Sequence, residues 1–80
     1  MVATHQLPPG AHQVLSEVRA VLARLGVDAF VADTRLELAV ARWTTDRVGD
    51  TSFIAFYEFA WTILTVEEEA RWRALDRGRR

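Results

Sequence analysis

The stretch that decides the fold is residues 53–64, FIAFYEFAWTIL, where five aromatic rings accompany a single charged residue, Glu58. Aromatic and β-branched residues favour a strand by propensity. The polar residues of this region indicate a helix instead, because they recur at spacings of three, four or seven and form one narrow stripe on a helical surface. A strand would divide them between both faces and leave neither face uniformly apolar. The stripe consists of Thr51, Glu58, Thr62, Thr65 and Glu69, with the small Ala55 between them.

The remaining surface of this third helix is apolar almost all round. At 100° per residue the polar stripe covers about 80° of the circumference, so about 280° is left apolar. Two neighbouring helices of one small chain cover about half of that. Two aromatic side chains of about 200 Å² left in water forfeit about 10 kcal/mol, which rivals the whole stability of a small domain. The residues that face away from the stripe, and that we expect in the core, are Phe53, Phe56, Ala60, Ile63 and Leu64.

This excess of apolar surface predicts that a second chain covers part of the third helix, as a homodimer or as a heteromeric protein partner. The alternative is a plain monomeric core, in which Tyr57 and Trp61 are partly exposed and reach water through their polar tips. The residues predicted to form the interface are Ile54, Tyr57, Phe59, Trp61, Val66 and Trp72.

Length and composition agree with a small domain that needs additional stabilisation. A chain of 80 residues buries only about 60% of its unfolded surface. The absence of cysteine excludes disulfides, thiolate zinc sites and iron–sulfur clusters, so we expect oligomerisation to supply the additional stability. The net charge of -1 provides no overall attraction to nucleic acid or anionic lipid. The longest apolar run is shorter than the roughly 20 residues of a membrane span, and we expect a cytoplasmic protein without a membrane segment or a cofactor.

The chain divides into a flexible leader, residues 1–10, and a single helical domain, residues 11–80. Pro8-Pro9-Gly10 ends the leader. The first helix follows, since apolar residues then recur at helical spacing as far as Leu25. Gly26 is placed to end this helix in a left-handed cap, with Val27 folding back on Leu22.

The second helix is predicted to begin at Asp28, its N-cap, because residues 28–48 contain neither Gly nor Pro. A strand is the rival, since Leu36, Leu38 and Val40 alternate with other residues. The helical spacing has more matches over a longer window, so we favour the helix, followed by a turn at Gly49-Asp50. The matching residues are Ala29, Ala32, Leu36, Ala39, Val40 and Trp43.

After Thr65 two alternatives remain open. Thr65 and Glu68 fit a capping box, which would start a fresh helix at Val66. Otherwise the third helix continues as one long helix. In both cases Glu67 to Arg71 and Glu69 to Arg73 are favourable pairs four residues apart. The predicted fold is therefore all-α: a small three-helix bundle, with a fourth short C-terminal helix in one of the two alternatives.

Combinations of residues that could carry out catalysis or bind a metal are incomplete. Glu58 could act as a general acid or base, but no second convergent group accompanies it. Asp33 and Glu37 share a helix face without a histidine in the same segment. His5 and His12 have no third ligand within reach. We expect no enzymatic activity and no metal site.

The C-terminal stretch RWRALDRGRR contains five of the ten arginines, with a tryptophan between two of them. Arginine with an interleaved aromatic is typical of surfaces that contact nucleic acid. Nearby glutamates almost balance this charge, so we favour a protein-interaction module or accessory subunit that associates through its aromatic third helix. A small nucleic-acid-associated regulator is the alternative, and its contact residues would be Arg71, Arg73, Arg77, Arg79 and Arg80.

Overall fold

The computed structural model describes residues 7–46 and 52–78, which form four α-helices and contain no strand. The predicted all-α class is confirmed, with the fourth helix present. The helices are α1, Ala11–Arg24; α2, Ala29–Asp46; α3, Phe53–Trp61; and α4, Val66–Gly78. Several predictions fall outside the described residues: most of the leader, the turn at Gly49-Asp50, the stripe residue Thr51, and the arginines Arg79 and Arg80.

The core lies between α1, α2 and α3. Its largest fully buried side chains are Trp43 of α2 and Phe56 of α3, whose rings meet edge to face with centroids 5.0 Å apart. Leu7, the first described residue, also packs against this core. α1 and α3 run in the same direction, since Gly10 lies beside the ring of Phe53 at their starts, and Arg24 and Trp61 at their ends line one cleft. The second helix buries Ala32, Leu36, Ala39 and Trp43 of its predicted stripe, and half-buries Val40.

Local signals set the ends of the first two helices, as predicted. Gly26 has a φ of 84°, and the N–H of Val27 donates to the carbonyl of Leu22 at 3.0 Å, which is the hydrogen bond of a left-handed cap. Asp28 is the N-cap of α2, since its carboxylate accepts from the N–H of Phe30 at 3.0 Å. The helical interpretation of this segment is therefore confirmed, and the strand is excluded.

The third helix forms as predicted, but its buried face is rotated. Ser52 caps its start, with its hydroxyl accepting from the N–H of Ala55. Ala55 lies in the predicted polar stripe and yet is buried, whereas Phe53 was expected in the core and is 43% exposed. The polarity of the stripe does not predict the burial of Ala55. Its methyl side chain is small enough to let a neighbouring helix approach closely, although the other residues of the stripe are polar.

The capping box decides between the two alternatives after Thr65. The Thr65 N–H donates to the Glu68 carboxylate at 2.9 Å, and the Glu68 N–H donates to the Thr65 hydroxyl at 3.1 Å. α3 ends at Trp61, and three successive backbone hydrogen bonds of the tighter i to i+3 type close its last turn. A fresh helix therefore begins at Val66, and the single long helix is excluded.

The fourth helix docks on the bundle through its first half. The guanidinium of Arg35 in α2 donates to the Glu68 carboxylate at 2.7 Å. Arg71 donates to the carbonyl of Leu25 at the end of α1, also at 2.7 Å, and so does not form the predicted pair with Glu67. The Glu69–Arg73 pair does form, at 2.7 Å. This bond gives a donor to a carbonyl at the partly buried end of α1, where the last helical carbonyls have no partner within the helix.

Two glycines provide a matched test of backbone strain. Gly10 and Gly26 both have positive φ, but a Cβ at Gly26 would meet nothing within 4 Å, whereas one at Gly10 would lie 3.1 Å from the ring of Phe53. Gly26→Ala should therefore cost about 1 kcal/mol of unfolding free energy through conformation alone. Gly10→Ala should cost more, since the ring must also shift. Urea denaturation of the two variants measures this, and equal losses would contradict the packing of Phe53 on Gly10.

Candidate protein-interaction surface

Three aromatic side chains of α3 form a continuous ridge along the outside of the bundle. The ring centroids of Phe53 and Tyr57 lie 6.3 Å apart, and those of Tyr57 and Trp61 lie 6.2 Å apart. We call Phe53, Tyr57 and Trp61 the aromatic ridge. They meet because residues four apart are neighbours on a helix surface. Ile54 lies next to the ridge with 70% of its surface exposed, and Tyr57 is 44% exposed, so this flank of α3 presents apolar surface to solvent.

The ridge borders a cleft of about 420 Å³ between α1, α3 and α4. Most of its lining is apolar, and its two charged residues, Glu17 and Arg24, both belong to α1. The guanidinium carbon of Arg24 lies 6.0 Å from the centroid of the Trp72 ring, within the range of a cation–π contact. The residues that line the cleft are Glu17, Ala20, Val21, Arg24, Tyr57, Trp61 and Trp72.

Glu17 and Arg24 do not pair with each other. They lie seven residues apart on one face of α1, which separates them by about 10 Å along the helix axis. Among the described residues, neither forms a salt bridge, and the side chain of Glu17 makes no hydrogen bond. The cleft therefore carries one unpaired anion and one cation held only by an aromatic ring, at two separate points of its rim.

Trp61 contributes to the ridge in a way that sequence does not anticipate. Its indole N–H is buried, and no described residue accepts a hydrogen bond from it. The expectation that the polar tip of this tryptophan reaches water is therefore wrong. A buried donor without an acceptor costs about 1–3 kcal/mol. The ring is held in this position by its packing against the core and not by its polar atom.

The six residues predicted as an interface do not all lie together. Ile54, Tyr57, Trp61 and Trp72 lie on or beside the ridge and its cleft. Phe59 lies on the other flank of α3 and packs in the bundle, with its centroid 5.4 Å from that of Trp43. Val66 is 87% exposed at the start of α4 and does not line the cleft.

Other exposed apolar side chains escaped the sequence reasoning. Leu38 is 59% exposed beside a second cleft, of about 390 Å³, between α2 and the flank of α3 that carries Phe59. Phe30, in the first turn of α2, is 78% exposed. The signal was available, because both residues fall outside the helical stripe that predicts the buried face of α2.

The C-terminal arginines do not converge on one surface in the described part of the chain. Arg71 is turned towards the end of α1, where it donates to the Leu25 carbonyl. Arg73 is paired with Glu69. Arg77 is exposed and lies four residues after Arg73, on the same outer side of α4. Arg71 is therefore held in a contact within the bundle, whereas Arg73 and Arg77 lie on the outer side of α4.

The acidic residues considered for chemistry lie apart from the cleft. Glu58 is exposed on α3. Asp33 accepts a hydrogen bond from Arg19 at 2.6 Å, and this bond, with the guanidinium charge, holds the pKa of Asp33 below its ordinary value. Across residues 7–46 and 52–78, no group of three or more His, Asp or Glu residues is arranged to hold a metal ion. None of the helices in these ranges has the length and apolar character that crossing a membrane requires.

No protein family, curated protein or solved structure matches this chain.

Proposed function

We propose that this protein is a small helical protein-interaction module, or accessory subunit, that associates through the aromatic ridge and the adjoining Ile54. The observation that carries the proposal is the unbroken contact from ring to ring along an exposed helix flank, next to an apolar cleft. Such a surface suits a protein partner, because aromatic side chains are enriched at the centres of interfaces and fill clefts of the partner.

The amount of exposed apolar surface supports this function. The exposed fractions of Phe53, Ile54 and Tyr57 are 43%, 70% and 44%. With side chains of about 200 Å², they leave about 300 Å² in water, at the lower end of the roughly 300–600 Å² of the largest apolar patch of a typical monomer, which is often functional. Covering that area contributes about 7 kcal/mol for each chain that brings such a patch, of the same order as the cost of association.

A matched pair of variants tests the proposal. Ile54→Lys and Leu38→Lys each place a cation on an exposed aliphatic position, but Ile54 lies on α3 beside the ridge, whereas Leu38 lies on α2 beside the cleft that adjoins the other flank of α3. Because both side chains are solvated, both variants should fold. Ile54→Lys should weaken association by about tenfold or more, since a lysine must be desolvated at the interface. Leu38→Lys should associate as the unaltered chain does. Native mass spectrometry of the tagged chain, isolated from the cells that make it, measures this.

Two results would contradict the proposal. One is isolation of the unaltered chain only as a free 9.1 kDa monomer. The other is equal loss of association in both variants, which would attribute the effect to added charge and not to the flank of α3 that carries the ridge.

A further inference from the structure

We infer that the partner covering this cleft is a second copy of the same chain, related by a two-fold axis that passes close to Ala20. This inference rests on the proposed function and specifies its partner. It follows from the two charges at the rim of the cleft, Glu17 and Arg24. A two-fold rotation places the anion of one copy opposite the cation of the other.

The charge pattern meets the requirement of a two-fold interface. Such an interface brings the same patch of both subunits together, so each charge must find its opposite at the symmetry-related position. The point midway between Glu17 and Arg24 on α1 lies next to Ala20, and a two-fold axis through that point exchanges the two positions between the copies. When the two α1 helices cross in opposite directions at that point, Glu17 of each copy faces Arg24 of the other.

The surface between the two charges allows this close approach. Ala20 is exposed and small, so the backbones of two α1 helices can come near each other there. Tyr57 and Trp61 border the same region and would become covered. The three salt bridges of the described residues bind Arg19, Arg35 and Arg73 to carboxylates of the same chain, so these arginines do not compete for Glu17.

Two charge reversals test the symmetry directly. Glu17→Arg leaves two cations at the rim and Arg24→Glu leaves two anions, so a two-fold dimer of either variant sets like charges against each other. Each variant alone should dimerise at least about tenfold more weakly than the unaltered chain. An equimolar mixture of the two variants should form a heterodimer of nearly the original affinity, because every cation then faces an anion.

Sedimentation equilibrium of the purified chains over a range of concentrations, at low and at high ionic strength, measures these affinities. Glu37→Arg is the control, since it alters the net charge as Glu17→Arg does at an exposed position that does not line the cleft. It should dimerise like the unaltered chain. Circular dichroism should show the same helix content in all four proteins, because the three substituted residues are exposed.

Failure of the mixture to recover association would overturn the two-fold arrangement. A purified chain that stays monomeric, while a complex sensitive to Ile54→Lys is isolated from cells, would overturn the second copy as partner and leave the interaction function standing. A chain that is monomeric both when purified and when isolated from cells would overturn the second copy as partner and the interaction function.

Discussion

Replacing Trp43 with alanine should remove about 3–5 kcal/mol of the unfolding free energy. This is the loss typical of truncating a large buried aromatic, since the transfer free energy is forfeited and a cavity remains. A domain of this size has a total stability of about 4–12 kcal/mol, so the loss consumes much or all of it.

The position of Trp43 explains why its effect should exceed that of any other tryptophan. Its exposure is 0%, and its ring meets Phe56 edge to face at 5.0 Å and Phe59 at 5.4 Å. Each such aromatic pair contributes about 0.5–1.5 kcal/mol beyond the burial of area. Trp61 and Trp72 are only partly buried, so their removal opens smaller cavities.

Urea denaturation followed by circular dichroism measures this loss, with all proteins at one concentration so that association affects them equally. Phe30→Ala is the control, because Phe30 is 78% exposed and its truncation should change stability by no more than about 0.5 kcal/mol. A Trp43→Ala protein within 1 kcal/mol of the unaltered chain would show that the core is not organised around this ring.

Replacing Glu68 with alanine should cost about 2 kcal/mol. Its carboxylate accepts from the Thr65 N–H and from Arg35, so one substitution removes half of a capping box and a charge-assisted contact to α2. The cap contributes about 1 kcal/mol, and the partly buried ion pair contributes a similar amount. The side chain of Glu68 is only 12% exposed and that of Arg35 is 30% exposed, so solvent screens this pair less than a surface pair.

The run of three glutamates supplies the control within the chain. Glu67→Ala should cost no more than about 0.5 kcal/mol, because Glu67 is exposed and only its favourable position in the first turn of α4 is lost. The loss of unfolding free energy in Glu68→Gln should lie between those of Glu67→Ala and Glu68→Ala. An amide can still accept a hydrogen bond from the Thr65 N–H, but it carries no charge to attract Arg35. Equal losses for Glu67→Ala and Glu68→Ala in urea denaturation would contradict the assigned role.

The difference in unfolding free energy between the unaltered chain and Glu68→Ala should also depend on pH. Partial burial alone would raise the pKa of Glu68, but the hydrogen bonds from Arg35 and Thr65 outweigh it and hold this pKa below its ordinary value of 4.5. Since the folded state then binds the proton less tightly than the unfolded state, the charged carboxylate stabilises the fold fully above pH 4.5. This contribution declines as the pH falls through the pKa of Glu68 in the folded state. The unfolding free energies of the two proteins should therefore approach each other in that pH range.

Much of the local structure follows from short-range signals. Gly26 ends α1, Asp28 starts α2, and Thr65 with Glu68 starts α4, each through hydrogen bonds that span at most five residues. These contacts require only a residue type at a given spacing, so they can be read from the chain. The capping box was recognised, yet the choice between a new helix and a long one needed the coordinates, because only they show that both of its hydrogen bonds form and that α3 ends at Trp61.

The sequence predicted that an exposed apolar surface exists, but not which residues surround it. The aromatic excess of residues 53–64 indicated exposed apolar surface, and Ile54 and Tyr57 are indeed exposed. The rim charges Glu17 and Arg24 were missed as a pair, since they look like two ordinary polar positions of an amphipathic helix. Their significance appears only when α3 and α4 bring Tyr57, Trp61 and Trp72 against the same face of α1.

The amino-acid sequence by itself determined that this chain is helical, where α1 ends and α2 begins, and that its third helix carries more apolar surface than one small bundle hides. Those properties depend on periodicity and on side chains meeting the backbone a few residues away. Only the tertiary structure decided that Ala55 is buried, that Phe59 faces inward while Tyr57 faces outward, and that Arg71 binds α1 instead of Glu67. These outcomes depend on which helix approaches from which side, and that is set by how side chains distant in sequence fit together.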